Sequence, residues 1–250
     1  MMNRLVGYLI AFVTAAMSYW IFYIGASFFG AANPHFIASA ILATLIVHET
    51  AHLIVMEANK IPAKIIFLVI LGGASPLSGN EPKLEKLPWE RQVVIILAGV
   101  IGNFAIIIGS YVLSQFNYLS PGDFMKILNM NGVLILWNLI PISFFDGGKF
   151  TKLLFDSISE DRDSKFAIGL AIGFICAVAV MTIITGNSNF FFVSFFLWNI
   201  HSRSKNDDPY GSENPKAIPR SHQKWWAALY LLMIVIAVVI TFATPSWLQV

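Results

Sequence analysis

Residues Leu45 to Val55 read LIVHETAHLIV. Between His35 and Met56 the only formally charged side chain is Glu49, at the centre of a His-Glu-x-x-His pattern. On a helix, His48 and His52 lie one turn apart on the same face. Both imidazoles can then reach one zinc ion, with Glu49 beside them to take a proton from the attacking water. The surrounding run is long enough to cross a bilayer, which needs about 20 helical residues. A charged residue in the middle of such a span costs about 2.5–3.5 kcal/mol on insertion scales, so it marks function by default.

The rest of the chain agrees with a membrane setting. Its 250 residues are 57% hydrophobic and 12% charged, about half the charged fraction of soluble domains. The single cysteine, Cys176, excludes an intrachain disulfide. No nucleic-acid partner is expected. Apolar stretches run at 5–29, 35–57, 92–116, 124–145, 166–185, 188–201 and 225–245. The first exceeds the roughly 7–15 residues of a signal-peptide core, so it reads as a retained span. A shorter run, Ile65 to Leu71, cannot cross and leads into GGASPLSG, which breaks helices. The expected fold is an all-α membrane protein. It is a polytopic bundle of about seven transmembrane helices with a short re-entrant, strand-like segment near 65–77. The expected division is an N-terminal transmembrane helix at 1–30, a catalytic membrane core at 31–150 and C-terminal transmembrane helices at 151–250. A polar, turn-rich stretch at 202–224 reads as a cytoplasmic linker.

Threading seven spans from a cytoplasmic N-terminus puts 15 of the 16 Lys and Arg residues on the cytoplasmic side, with Lys126 alone outside. That is the bias the positive-inside rule requires. The expected location is the bacterial cytoplasmic membrane.

Two histidines leave a catalytic zinc site one protein ligand short. Glu57 is poorly placed, because five residues past His52 is about 140° round a helix. Asp146 is better. It ends WNLIPISFFD (residues 137–146), where Pro141 removes a helical hydrogen bond and Gly147 and Gly148 free the backbone that follows. His48 lies 13 residues past His35, and Asn138 lies 13 past Met125. At 1.5 Å per residue both reach about 20 Å below the outer surface, in the cytoplasmic half.

These two motifs, His48-Glu49-Thr50-Ala51-His52 and Asn138-Leu139-Ile140-Pro141-Ile142-Ser143-Phe144-Phe145-Asp146-Gly147, together resemble those of the site-2 protease family of intramembrane zinc metalloproteases. The family also tends to show Gly-Pro-x-x-Asn on a span between them. Here Gly99 and Asn103 are present, and Val100 replaces the proline. The resemblance covers residues 36–150. It implies Zn²⁺ held by His48, His52 and Asp146, and Glu49 as the base. Asn138, with Asn103, would bind the substrate backbone or developing oxyanion. The segment containing Gly72 and Gly73 would help present the substrate. The partner it implies is a membrane-protein substrate, taken here as a single-span protein within the lipid bilayer, and the reaction is peptide hydrolysis in or near its transmembrane segment. Two other readings stand beside it: a transporter or channel using the His/Glu/Asp cluster as an ion path, and a non-cleaving relative that binds membrane proteins.

Overall fold

The computed structural model describes residues 2–28, 30–68, 71–76, 83–84, 86–141, 145–155 and 218–243. Among these the order of elements is α1 (Met2–Phe28), α2 (Pro34–Ala58), β1 (Ala63–Leu68), β2 (Leu71–Pro76), α3 (Trp89–Gln115), α4 (Pro121–Asn138), α5 (Asp146–Phe155) and α6 (Arg220–Ala243). The expected spans at 166–185 and 188–201, Cys176 and residues 202–217 of the linker lie outside the described residues. Among the described residues four helical segments are long and apolar enough to cross a membrane: Leu9–Phe28, Pro34–Ala58, Trp89–Gln115 and Arg220–Thr241.

The described residues fall into two compact units. The first comprises 1–84, 97–136 and 232–250; the second comprises 85–96 and 137–231. In the first unit, α2 has clear ends. Asn33 accepts a hydrogen bond from the Phe36 amide through Oδ1 at 3.1 Å, and Pro34 opens the first turn. At the other end the Asn59 side chain donates to the Val55 carbonyl at 2.8 Å, and Lys60 turns the chain with a positive φ of 61°. The 25 residues between are about 37 Å of helix. Helix α1 lies against α2 and exposes Phe12, Trp20 and Ile24, as a helix bordering lipid does.

A β-hairpin follows α2. β1 and β2 pair antiparallel, with Ile66 opposite Gly73 and Phe67 opposite Gly72. The sequence suggested a single strand-like segment near 65–77; two paired strands occupy 63–68 and 71–76. Glu57 accepts from the Ala63 amide at 3.3 Å, at the start of β1.

Helix α3 approaches α2 through glycine. A Cβ on Gly102 would lie 3.2 Å from the Ala51 methyl and 3.3 Å from the Val47 carbonyl. Val100, fully buried, stands where the resembled motif has proline, and α3 runs unbroken through it for 27 residues. Helix α4 is capped by Ser120, which accepts from the Asp123 amide at 3.0 Å. Gly132 lets α6 come close, since a Cβ there would sit 2.7 Å from Ile240 and Thr241. Asn129 donates to the Thr241 carbonyl at 2.9 Å.

The apolar stretch 124–145 was expected as one broken segment. The helix ends at Asn138, and a new one starts at Asp146. α4 carries Asp123, Lys126, Asn129 and Asn131 in its 18 residues and is not among the four candidate spans.

In the second unit, α3 and α6 begin with the same device. Gln92 donates to the Leu87 carbonyl at 2.9 Å, and Gln223 to the Ile218 carbonyl at 3.1 Å. Each pair brackets a proline, Pro88 or Pro219, whose carbonyl accepts the first amides of its helix. The Ile218 amide donates to the Leu153 carbonyl at 2.9 Å, tying the entry of α6 to α5.

Candidate metal centre

The helical period brings His48 and His52 to one face of α2, and both are buried, as is Glu49. Their Nε2 atoms are 3.2 Å apart. Two nitrogens each about 2.0–2.1 Å from a tetrahedral zinc ion stand about 3.3 Å apart. The separation is that of a hydrogen bond between the rings and also matches the spacing of two Nε2 ligands to one ion.

Room for the two imidazoles comes from α3. A Cβ on Gly99 would fall on the Cε1 and Nε2 atoms of His48 and on Nε2 of His52. Any side chain at this position would occupy the space in front of the two donor nitrogens. Sequence reading noted Gly99 as part of a motif and missed this steric role. The visible signal was the spacing Gly99, Gly102, Asn103, which puts small residues on one helical face.

Asn103 lies one turn beyond Gly99 and is fully buried. Neither its Nδ2 nor its Oδ1 has a hydrogen-bond partner among the described residues. A buried amide without partners costs about 1–3 kcal/mol. Asn131, also fully buried, donates to the Ile127 carbonyl at 2.9 Å and weakly to Thr44 at 3.4 Å. Thr44 is one turn before His48 on the same face of α2. Sequence reading did not single out this pair.

Asp146 belongs to the second unit. It is buried at the first residue of α5, where the helix dipole favours a carboxylate. Lys149, one turn on, places its ammonium 3.4 Å from Oδ1. The path into α5 is tight: a Cβ on Gly147 would strike the carbonyls of Leu139 and Ile140. Tyr230 of α6 donates to the Leu139 carbonyl, one of the acceptors left over where α4 stops. The Tyr230 ring stacks on Phe150 at 5.2 Å, and Phe145 meets Trp137 edge-on at 5.9 Å. The break at Pro141 is thus held by side chains from α6 and α5. Asn138 is the last residue of α4 and is half-buried. Gly72 and Gly73 are in β2. Glu57 is exposed and bonded to the hairpin.

His48, His52 and Asp146 are a buried set of donors that could bind a metal ion. Two imidazoles and a carboxylate match the His₂-carboxylate class of catalytic zinc sites, which leave a fourth position open.

Comparison with known proteins gives three findings. Residues 36–120 match the model of peptidase family M50; that segment contains His48, Glu49, His52 and Asn103 and stops before Asn138 and Asp146. A Synechocystis protein, named as a candidate zinc metalloprotease, is 30% identical over 139 residues, or 54% of this chain. The match spans only 35% of that relative's length. The site-2 protease of Methanocaldococcus jannaschii has a similar fold, with a TM-score of 0.51 at 20% identity over 83% of this chain and 90% of that one. Apolar helices of spanning length and this likeness make the chain an integral membrane protein. The site-2 protease resemblance first read from two short motifs is thus found again in the M50 match over residues 36–120, in a curated relative and in the fold of a solved site-2 protease.

Proposed function

We propose that this protein is a zinc-dependent intramembrane endopeptidase that hydrolyses a peptide bond in or near a transmembrane segment of another membrane protein. The observation that carries the reading is the 3.2 Å separation of the two Nε2 atoms beside a buried Glu49. His48, His52 and Asp146 would hold one zinc ion. Bound there, zinc supplies Lewis acidity to the scissile carbonyl and lowers the pKa of water toward 7.

Glu49 takes the proton from the attacking water and gives it to the leaving nitrogen. Asn103 and Asn138 donate to the substrate backbone or to the developing oxyanion. A transmembrane substrate must first be drawn out of its helix. The hairpin favours this, since a two-stranded sheet can add an extended backbone at its edge, and Gly72 and Gly73 keep β2 free of bulk. Set as a re-entrant element, the hairpin would present the substrate strand to the metal. The full reading has seven spans with the N-terminus and the linker at 202–224 cytoplasmic. The active site then lies in the cytoplasmic half of a bacterial membrane.

The test is co-expression with a tagged single-span protein carrying a helix-weakening Gly or Pro in its cytoplasmic half. Glu49→Gln keeps the shape of the side chain and loses the base. Cleavage should fall by at least the roughly 10²–10⁴-fold of general-base catalysis, with zinc retained. Wild-type cleavage by Glu49→Gln would end the protease mechanism.

A further inference from the structure

We propose that the joint between the start of α3 and the start of α6 is a docking surface for anionic phospholipid headgroups. The two helix starts meet through aromatic rings. Trp89 packs against His222 at 5.6 Å and against Trp226 at 6.1 Å. Phe150 supports Trp226 from α5 at 6.3 Å. Both helices are candidate spans that begin here, so this joint stands at the end of two membrane crossings, where headgroups are.

Around the rings stand four cations, Lys86, Arg91, Arg220 and Lys224, all exposed. None of the four forms an ion pair among the described residues. Among the described residues one exposed carboxylate, Glu90, opposes them. The positive ends of two helix dipoles come together at the same place and add to the field. Trp225 is 78% exposed beside the cluster. An indole with one apolar edge and one N–H belongs at the headgroup level, which is where interfacial Trp collects. Charge and indoles together fit a phosphate tethered to acyl chains better than a phosphate free in solution. The surface is independent of the metal centre and does not rest on the protease reading.

The full chain in neutral detergent, followed by thermal unfolding, tests this. Phosphatidylglycerol, phosphatidylcholine and inorganic phosphate are added in separate titrations. Phosphatidylglycerol should raise the Tm, and the other two should not. In K86Q/R91Q/R220Q/K224Q the phosphatidylglycerol needed for half the effect should rise at least about tenfold, since each cation near a membrane surface is worth about 1 kcal/mol. R91K/R220K, which keeps the charge, should respond as wild type does. Should the fourfold variant fail to fold, the wild type decides: its response must weaken as salt rises from about 0.05 M to 0.5 M, where screening shortens to a few ångströms. An equal effect of phosphatidylcholine or inorganic phosphate, a salt-independent response, or a wild-type response in the fourfold variant would overturn the proposal.

Discussion

The two regions that carry the proposed metal donors are built in opposite ways. In α2 the donors come from five consecutive residues of one regular helix, and the helix period alone aligns them. Around Asp146 the chain is broken. A helix stops, a Cβ on Gly147 would strike the Leu139 and Ile140 carbonyls, and a tyrosine 91 residues beyond Leu139 takes the spare carbonyl there. The first region owes its geometry to local hydrogen bonds, and the second to contacts distant in sequence. The first should therefore fail through loss of space at its face, and the second through loss of its props.

The largest effect expected from that contrast is at Gly99. In Gly99→Val the new side chain lands on the tips of both imidazoles. Imidazoles yield by rotating, so the helices stay packed and the donors move. Bound zinc, measured by metal analysis of purified protein, should fall at least about tenfold, because loss of ligand geometry undermines the site. Helix content by circular dichroism should hold. Wild-type zinc in this variant would show that the space before the two nitrogens is not where the metal goes.

A smaller effect is expected at the prop. Tyr230→Phe keeps the stack on Phe150 and removes the hydrogen bond to the Leu139 carbonyl. A buried acceptor left without its donor costs about 1–3 kcal/mol. Thermal unfolding should register that loss. Because the site of damage is the broken segment, partial zinc loss should trace to Asp146 and not to the histidines. An unchanged melt would mean that the break holds itself.

The same contrast explains what the sequence could and could not disclose. α2 was legible to within a residue at each end, because Asn33-Pro34 and Asn59 are local signals and the apolar run between them has no competitor. The placement of His48 and His52 on one face of that helix was legible for the same reason. The hairpin was only half legible. Leu71 to Pro76 reads LGGASP, which has little strand propensity of its own and becomes a strand by pairing with Ala63 to Leu68. The end of α4 was foreseeable from Pro141, yet the brace from Tyr230 was not, because nothing near either residue names the other. Gly99 was visible as a motif letter and silent as a steric fact until the two imidazoles were placed against it.

The central claim is that one metal takes donors from both regions. The direct measurement is zinc per chain in Asp146→Ala, beside His48→Ala and beside Glu57→Ala as the carboxylate control. Asp146→Ala and His48→Ala should each hold less than about one tenth of the wild-type zinc, since removing one of three protein ligands dismantles the site. Glu57→Ala should keep the full amount, its carboxylate being engaged at the start of β1. Full zinc in Asp146→Ala would contradict the account: the metal would then belong to α2 with some other third ligand, and the broken segment would have a different purpose.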